Sequence, residues 1–216
     1  MYMKIWGLER LKEMGLPYPP YQVISINEDN PENIERYILE KIRLVNVPNI
    51  KNDRIGVTIR VSLSEDPDRG GHGGLHVTEE EEILKEVLKK HEQYKPKEKI
   101  ILQHTVDAKC SGATRKENGK ITIETIPGDA PPLLEGKTSN FESWNYYLNE
   151  NKWLKDRSYM LNEKEIQVLI KIERESLLEP VINFTNDVYL EWSISKKGQI
   201  FYYEYLEFSD AKINIL

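Results

Sequence analysis

Two stretches of this sequence carry residue types whose spacing could do chemistry. The first runs from Asp187 to Leu206 and includes Glu191, the pair Lys196-Lys197, Gly198 and Glu204. Its alternation reads as a β-hairpin turning at Lys196-Lys197-Gly198. With Lys196 and Lys197 as the two central turn residues, Tyr189 faces Glu204, Glu191 faces Tyr202 and Asp187 faces Leu206. Side chains alternate along a strand, so Asp187, Glu191 and Glu204 share one face. Glu191 and Glu204 then become diagonal neighbours at roughly 7–8 Å. Carboxylates that close repel unless something lies between them. Mg2+ fits there, because it binds through one or two carboxylates plus waters and substrate phosphates. A solvated acidic face is the competing reading. The second stretch is Gly70-Gly71-His72-Gly73-Gly74, which follows a strand pattern. Glycines leave backbone N–H groups free to approach an anion and let a loop close over phosphates. A surface loop with no ligand, His72 simply facing solvent, is the alternative.

Other reactive side chains read more plainly. His104 lies in the apolar run Ile101-Leu-Gln-His-Thr105 and reads as a core histidine. Cys110 has no base nearby to activate it and reads as a small buried or loop residue. The acidic run Glu79 to Glu82 reads as a solvated helix start. Lys4 and Arg60, taken alone, read as surface charge.

These residues need elements to hold them. A short helix is expected over 7–14, stopped by Gly15, then an extended connector through Leu16-Pro-Tyr-Pro-Pro20. A strand follows over 21–26 and a helix over 32–44, opened by Pro31. Residues 54–63 alternate polar and apolar like a strand. Thr78 can cap a helix over 79–90, with acids in its first turn and lysines in its last. Strands are expected over 100–106 and 121–126. Asn162 can cap a helix over 163–178, and strands resume from 181. Residues 94–99 form the polar link between an N-terminal lobe, 1–97, and a C-terminal lobe, 98–216. The fold class is α+β, two lobes each of mixed or antiparallel sheet with helices.

Composition narrows the function. The chain has 216 residues, enough to bury a sizeable core. Its net charge of −6 argues against a general electrostatic grip on nucleic acid. No apolar run reaches the roughly 18 residues of a membrane span. The start, Met1-Tyr-Met-Lys-Ile-Trp6, lacks the apolar core of a signal peptide. One cysteine excludes an internal disulfide and a cysteine-based zinc cage. A cytoplasmic protein is expected.

Several segments taken together resemble the N-terminal ATP-binding domain of the phosphoenolpyruvate synthase and pyruvate phosphate dikinase family, an ATP-grasp-like fold. The opening from Lys4 through Gly15-Leu-Pro-Tyr-Pro-Pro20 is similar to the family's start. Thr58-Ile-Arg60-Val-Ser-Leu-Ser-Glu65-Asp66, leading into Gly70 to Gly74, resembles its Val-Arg-Ser-Ser-Ala-Thr-Ala-Glu-Asp segment and glycine loop. Ile101-Leu-Gln103, Ser111-Gly112, Ile121-Thr-Ile-Glu124 and Leu134-Glu-Gly136 follow in the order of its second lobe. Tyr189-Leu-Glu191-Trp192 and Gly198 to Leu206 resemble its closing hairpin.

The resemblance implies roles. Lys4 and Arg60 would hold ATP phosphates, and Gly71, Gly73 and Gly74 would cover them. The strand Leu102 to His104 would offer backbone groups to adenine, with Gln103 at the hinge. Glu124 would line the nucleotide site, and Glu191 would bind Mg2+. The departures carry weight too. Tyr189 stands where the family has an aspartate, and Asp187, on the same expected face, is the candidate substitute. Glu204 replaces a glutamine and offers a further metal ligand. Leu206 replaces an arginine, which removes a phosphate-stabilising cation. The family's phosphohistidine and barrel domains do not fit within 216 residues, so the phosphoacceptor is expected on another protein or domain. The alternative is a degenerate nucleotide-binding, regulatory or interaction module without turnover.

Overall fold

The alternation of β2 (Arg54–Leu63) forms the strand its pattern predicts, and its apolar members Val57, Ile59 and Val61 are buried. In this computed structural model the described residues are 2–26, 33–45, 54–63, 75–95, 98–129, 133, 141–157 and 176–208. The chain is α+β and divides into two units. The first comprises Met1–Glu13 and Tyr18–Asp107, the second Met14–Pro17 and Ala108–Leu216. The division falls after Asp107 and not after residue 97. The reason is β4 (Glu98–Val106), which occupies an inner place in the first unit's sheet.

The first unit contains α1 (Met3–Glu13), β1 (Tyr21–Ile24), α2 (Ile34–Val45), β2, β3 (Leu75–Val77), α3 (Glu80–Tyr94) and β4. Its sheet is antiparallel, in the order β1-β4-β2-β3. Ile34, Ile38 and Ile42 recur every fourth residue on α2, as do Ile83, Val87 and His91 on α3. Such spacing lines one helix face. Those apolar residues pack with Ile24, Val57, Ile59, Ile100 and Leu102 into one core. His91 completes the α3 stripe, and its Nδ1 lies 2.6 Å from Glu98 Oε1, both side chains buried. A buried carboxylate is tolerated when so bonded. α1 serves the opposite sheet face, where Tyr21 bonds to Glu9 and Lys99 Nζ lies 5.5 Å from the centre of the Tyr2 ring.

Helix boundaries differ from expectation. α1 begins at Met3 and not at residue 7, which places Lys4 in its first turn. The N-cap of α3 is Glu79, not Thr78, and it makes no side-chain cap hydrogen bond. Pro31 and most of the helix expected over 163–178 lie outside the described residues. Residues 176–182 are helical and are designated α4.

The second unit holds a six-stranded antiparallel sheet in the order β10-β9-β5-β6-β7-β8. Its strands are β5 (Ala108–Glu117), β6 (Lys120–Pro127), β7 (Glu142–Tyr147), β8 (Lys152–Arg157), β9 (Asp187–Ser195) and β10 (Ile200–Phe208). One face carries Ile121, Ile123, Val188, Leu190, Trp192 and Ile194, all buried. Lys116 lies on that face, and its Nζ donates to the carbonyls of Ile182, at 3.3 Å, and Phe184. A cation suits these carbonyls at the end of α4. Burial holds the Lys116 ammonium below its ordinary range, and Asp187 partly offsets this. Lys116→Met keeps the stem and strands the two carbonyls. Unpartnered buried acceptors cost about 1–3 kcal/mol, so the thermal midpoint is expected to fall by roughly 2–12 °C. An unchanged midpoint in a calorimetric scan would show that Lys116 does not hold this helix end.

Candidate functional site

The hairpin closes through three residues and not two. Ser195 N–H donates to Gln199 O, and Gly198 N–H to Ser195 O, each at 2.8 Å. Gly198 takes the left-handed position at φ 82°, which glycine adopts without strain. The longer loop shifts pairing by one residue, so Ile200 meets Ile194 and Tyr202 meets Trp192. A bulge at Tyr203 shifts it once more. Glu204 now pairs with Glu191, Leu206 with Tyr189, and Phe208 with Asp187. Two single-residue shifts preserve parity. Glu191 and Glu204 therefore share a face, as expected, but as direct partners and not as diagonal neighbours.

The same shift carries Asp187 from the diagonal of Glu204 to four rows away from it. It sits opposite Phe208 and not Leu206, four residues from Glu191 along β9. At strand spacing that is about 13 Å. Its charge acts instead on Lys116.

Glu124 stands in the row of Glu191. Ala113 on β5 pairs with Glu191 on one side and with Glu124 on the other. Glu204, Glu191, Ala113, Glu124 and Ser143 thus form one row across five strands. Glu191 and Glu124 are about 10 Å apart at Cα, with only a methyl side chain between them. Glu204 is 4% exposed, so its carboxylate is held away from bulk water. The next row holds Leu206, Tyr189, Arg115, Thr122 and Asn145. Tyr189 Oη donates to Glu191 Oε1 at 3.2 Å. Its phenol is pushed well above the ordinary range, first by burial and then by the charges of Glu191 and Glu204. The bond to Glu191 and the charge of Glu124 add to this. The three carboxylates therefore act on one hydroxyl. Arg115 Nη2 pairs with Glu117 Oε2 at 3.0 Å.

The side-chain donors in this row are oxygens alone, three carboxylates and the Ser143 hydroxyl, which suits a hard cation such as Mg2+ or Ca2+. Among the described residues, no three His, Cys, Asp or Glu side chains converge to hold an ion by themselves.

The first unit holds the other expected residues. Lys4 is buried in α1. Arg60 on β2 donates from Nη1 to Gln103 Oε1 at 3.3 Å. The 102–104 segment, expected to offer backbone groups to adenine, lies in the inner strand β4. Gln103 is paired on both sides, with Tyr21 and Thr58, and Leu102 likewise with Gln22 and Ile59. His104 N–H donates to Pro20 O at 2.9 Å. His104 is buried, and Cys110 is half-buried on β5. Gly71, Gly73 and Gly74 lie outside the described residues, as does Leu134-Glu-Gly136. Ala113 and the Tyr189–Glu191 bond were missed from sequence. Tyr189 and Glu191 two apart on a strand was the available signal, whereas Ala113 carried none.

No protein-family model matches the chain, and no curated protein matches it. Similar solved structures include the D-alanine-D-alanine ligase from Coxiella burnetii. The alignment covers 95% of this chain and 47% of that one, at 10% identity and TM-score 0.47. D-alanyl-alanine synthetase A from Vibrio cholerae O1 biovar eltor str. N16961 aligns over 96% of this chain and 55% of its own, at 14% identity and TM-score 0.45. N5-carboxyaminoimidazole ribonucleotide synthetase from Thermotoga maritima aligns over 95% and 41%, at 14% identity and TM-score 0.39. The chain spans about half the length of these solved structures.

Proposed function

We propose that this chain binds Mg2+–ATP and transfers a phosphoryl group from it to an acceptor on a separate protein or domain. The observation that supports this most is the direct pairing of Glu191 with Glu204, with Glu124 facing them across Ala113. Glu191 and Glu204 are assigned the metal. Lys4 and Arg60 keep the phosphate role that the resemblance gives them, and the ATP-grasp-like reading of the fold belongs to the same proposal. Phosphoryl transfer asks a protein for positioning and charge neutralisation more than for covalent chemistry. A guanidinium and an ammonium supply the second, the guanidinium with two parallel hydrogen bonds to a phosphate.

One observation favours a second reading, a nucleotide-binding module without turnover. Leu206 is buried in the row beside the carboxylates, where the resemblance calls for an arginine. Losing such a cation can cost several orders of magnitude in rate.

A thermal-shift titration with ATP, with and without Mg2+, tests the binding step. Ligand at 100 times Kd adds about 2.7 kcal/mol to stability. For a chain of this length that raises the midpoint by roughly 5–11 °C. A rise that needs Mg2+ and is lost in Lys4→Ala supports the proposal, and no rise at millimolar ATP overturns it. ADP release or a labelled acceptor in cell extract then separates transfer from the module without turnover.

A further inference from the structure

We propose that the exposed turn Asn118-Gly119 is a site of covalent modification, where the Asn118 side chain closes on the Gly119 nitrogen to a succinimide that opens to isoaspartate. These two residues join β5 to β6 as a two-residue hairpin loop, closed by the pairing of Glu117 with Lys120. Both are exposed, and both take positive φ, 52° at Asn118 and 76° at Gly119. That is the type I′ turn, which matches the twist of paired strands and which asparagine followed by glycine tolerates. No other asparagine in the sequence is followed by glycine.

The folded hairpin accommodates the ring. A succinimide brings Cβ and the next nitrogen to one side of the Cα–C bond. For an L residue this holds ψ at about −120°, the value at the first central residue of a type II′ turn. Type II′ is the other turn that two-residue hairpins use, and its first central φ is about +60°. Asn118 has that φ in the resting turn. Only the peptide plane between residues 118 and 119 has to rotate. The rotation carries φ of residue 119 from positive to negative, a change that glycine makes without steric cost. The strands stay in register, because both turn types close the same pair, Glu117 and Lys120. The bond from Leu148 N–H to Gly119 O, 3.1 Å long, is kept as well, since ψ of the second central residue is about 0° in both turns. In the reaction, the Gly119 nitrogen gives its proton to solvent base and bonds to Asn118 Cγ. The Cγ–Nδ2 bond breaks and ammonia leaves. Water then opens the ring. Addition at Cγ gives aspartate, and addition at the main-chain carbonyl leaves the chain running through the side chain as isoaspartate. Isoaspartate adds a methylene to a loop whose length sets the β5–β6 pairing, and puts a carboxylate beside Glu117. Asn151 is the contrasting case. It too is exposed at positive φ, 50°, but Tyr146 Oη donates to its Oδ1, and the next residue is Lys152, which carries a side chain and is paired in β8.

The test incubates the full folded chain in warm, mildly alkaline buffer. Isoaspartate is counted with an isoaspartyl methyltransferase and a labelled methyl donor, and the label is mapped by mass spectrometry. The expected result is label that accumulates at residue 118 together with released ammonia, with none at Asn151. Asn118→Gly keeps the positive φ and should lose the label. Label at residue 118 that appears only when the chain is unfolded in guanidinium would show that the native turn resists closure, and overturns the inference. Label that persists in Asn118→Gly, or that spreads over the other asparagines of the folded chain, overturns it too. If Asn118→Gly does not fold, the mapped position in folded wild type decides by itself.

Discussion

Gly112→Ala is expected to destabilise the protein by at least about 3 kcal/mol, at the upper end of what overpacking usually costs. A Cβ at this position would lie 2.0 Å from the carbonyl oxygen of Glu124 and 2.7 Å from Cζ2 of Trp192. The first contact is with backbone, which cannot rotate away. It yields only if β5 and β6 part, and those strands carry the centre of the sheet. Trp192 cannot yield either, because its Nε1 donates to Thr114 Oγ1 at 3.0 Å. The midpoint should fall by roughly 6–12 °C or more. Gly119→Ala is the comparison. Gly119 has φ 76° and nothing near its added Cβ, so it carries left-handed strain alone, about 1–2 kcal/mol. A Gly112→Ala midpoint at or above that of Gly119→Ala would show that the β5–β6 approach is not tight. The contact also couples stability to the site. Glu124 is the residue whose carbonyl is pushed, and its side chain belongs to the acidic row.

Much of the fold was legible where pattern and structure share a period. β2 was read to its ends because alternation runs unbroken through it. The stripes on α2 and α3 are spaced as helices demand. β5 was missed because its middle, Ser111-Gly112-Ala113-Thr114, holds small residues in place of the branched and aromatic ones that mark strands. Those residues are small because the neighbours crowd them, Trp192 across from Gly112 above all, and crowding is a property of the sheet. The shared face of Glu191 and Glu204 was legible from parity. Their register was not, because it depends on a three-residue loop and on a bulge at Tyr203 that no alternation announces. Asp187 moved away from Glu204 for that same reason of register, whereas Glu124 stands in the acidic row through the pairings of β5 with β6 and with β9.

The acidic row should set stability against binding. Glu191 and Glu204 are direct cross-strand partners, and like charges in that relation destabilise a sheet by roughly 0.2–1 kcal/mol. Glu204→Gln and Glu191→Gln each remove one charge, keep the shape, and relieve that repulsion. Without ligand, either variant is expected to melt at or slightly above the wild-type midpoint. With Mg2+–ATP, the order should reverse. Mg2+ draws its affinity from one or two carboxylates, and loss of one should cost more than the 10–100-fold that outer partners of a ligand contribute. The Mg2+-dependent rise of several degrees in wild type should then vanish at the same nucleotide concentration. Glu191→Gln leaves Tyr189 a neutral acceptor in place of a charged one, so its gain without ligand should be the smaller of the two. A sheet that used these residues only as a solvated polar face would behave otherwise. Both variants would keep the wild-type response to Mg2+–ATP, and the metal assignment would be lost. A fall in both midpoints without ligand would show that the paired carboxylates are held by bonds stronger than their mutual repulsion. A site kept at some expense to the resting fold is the signature of a residue pair retained for its ligand.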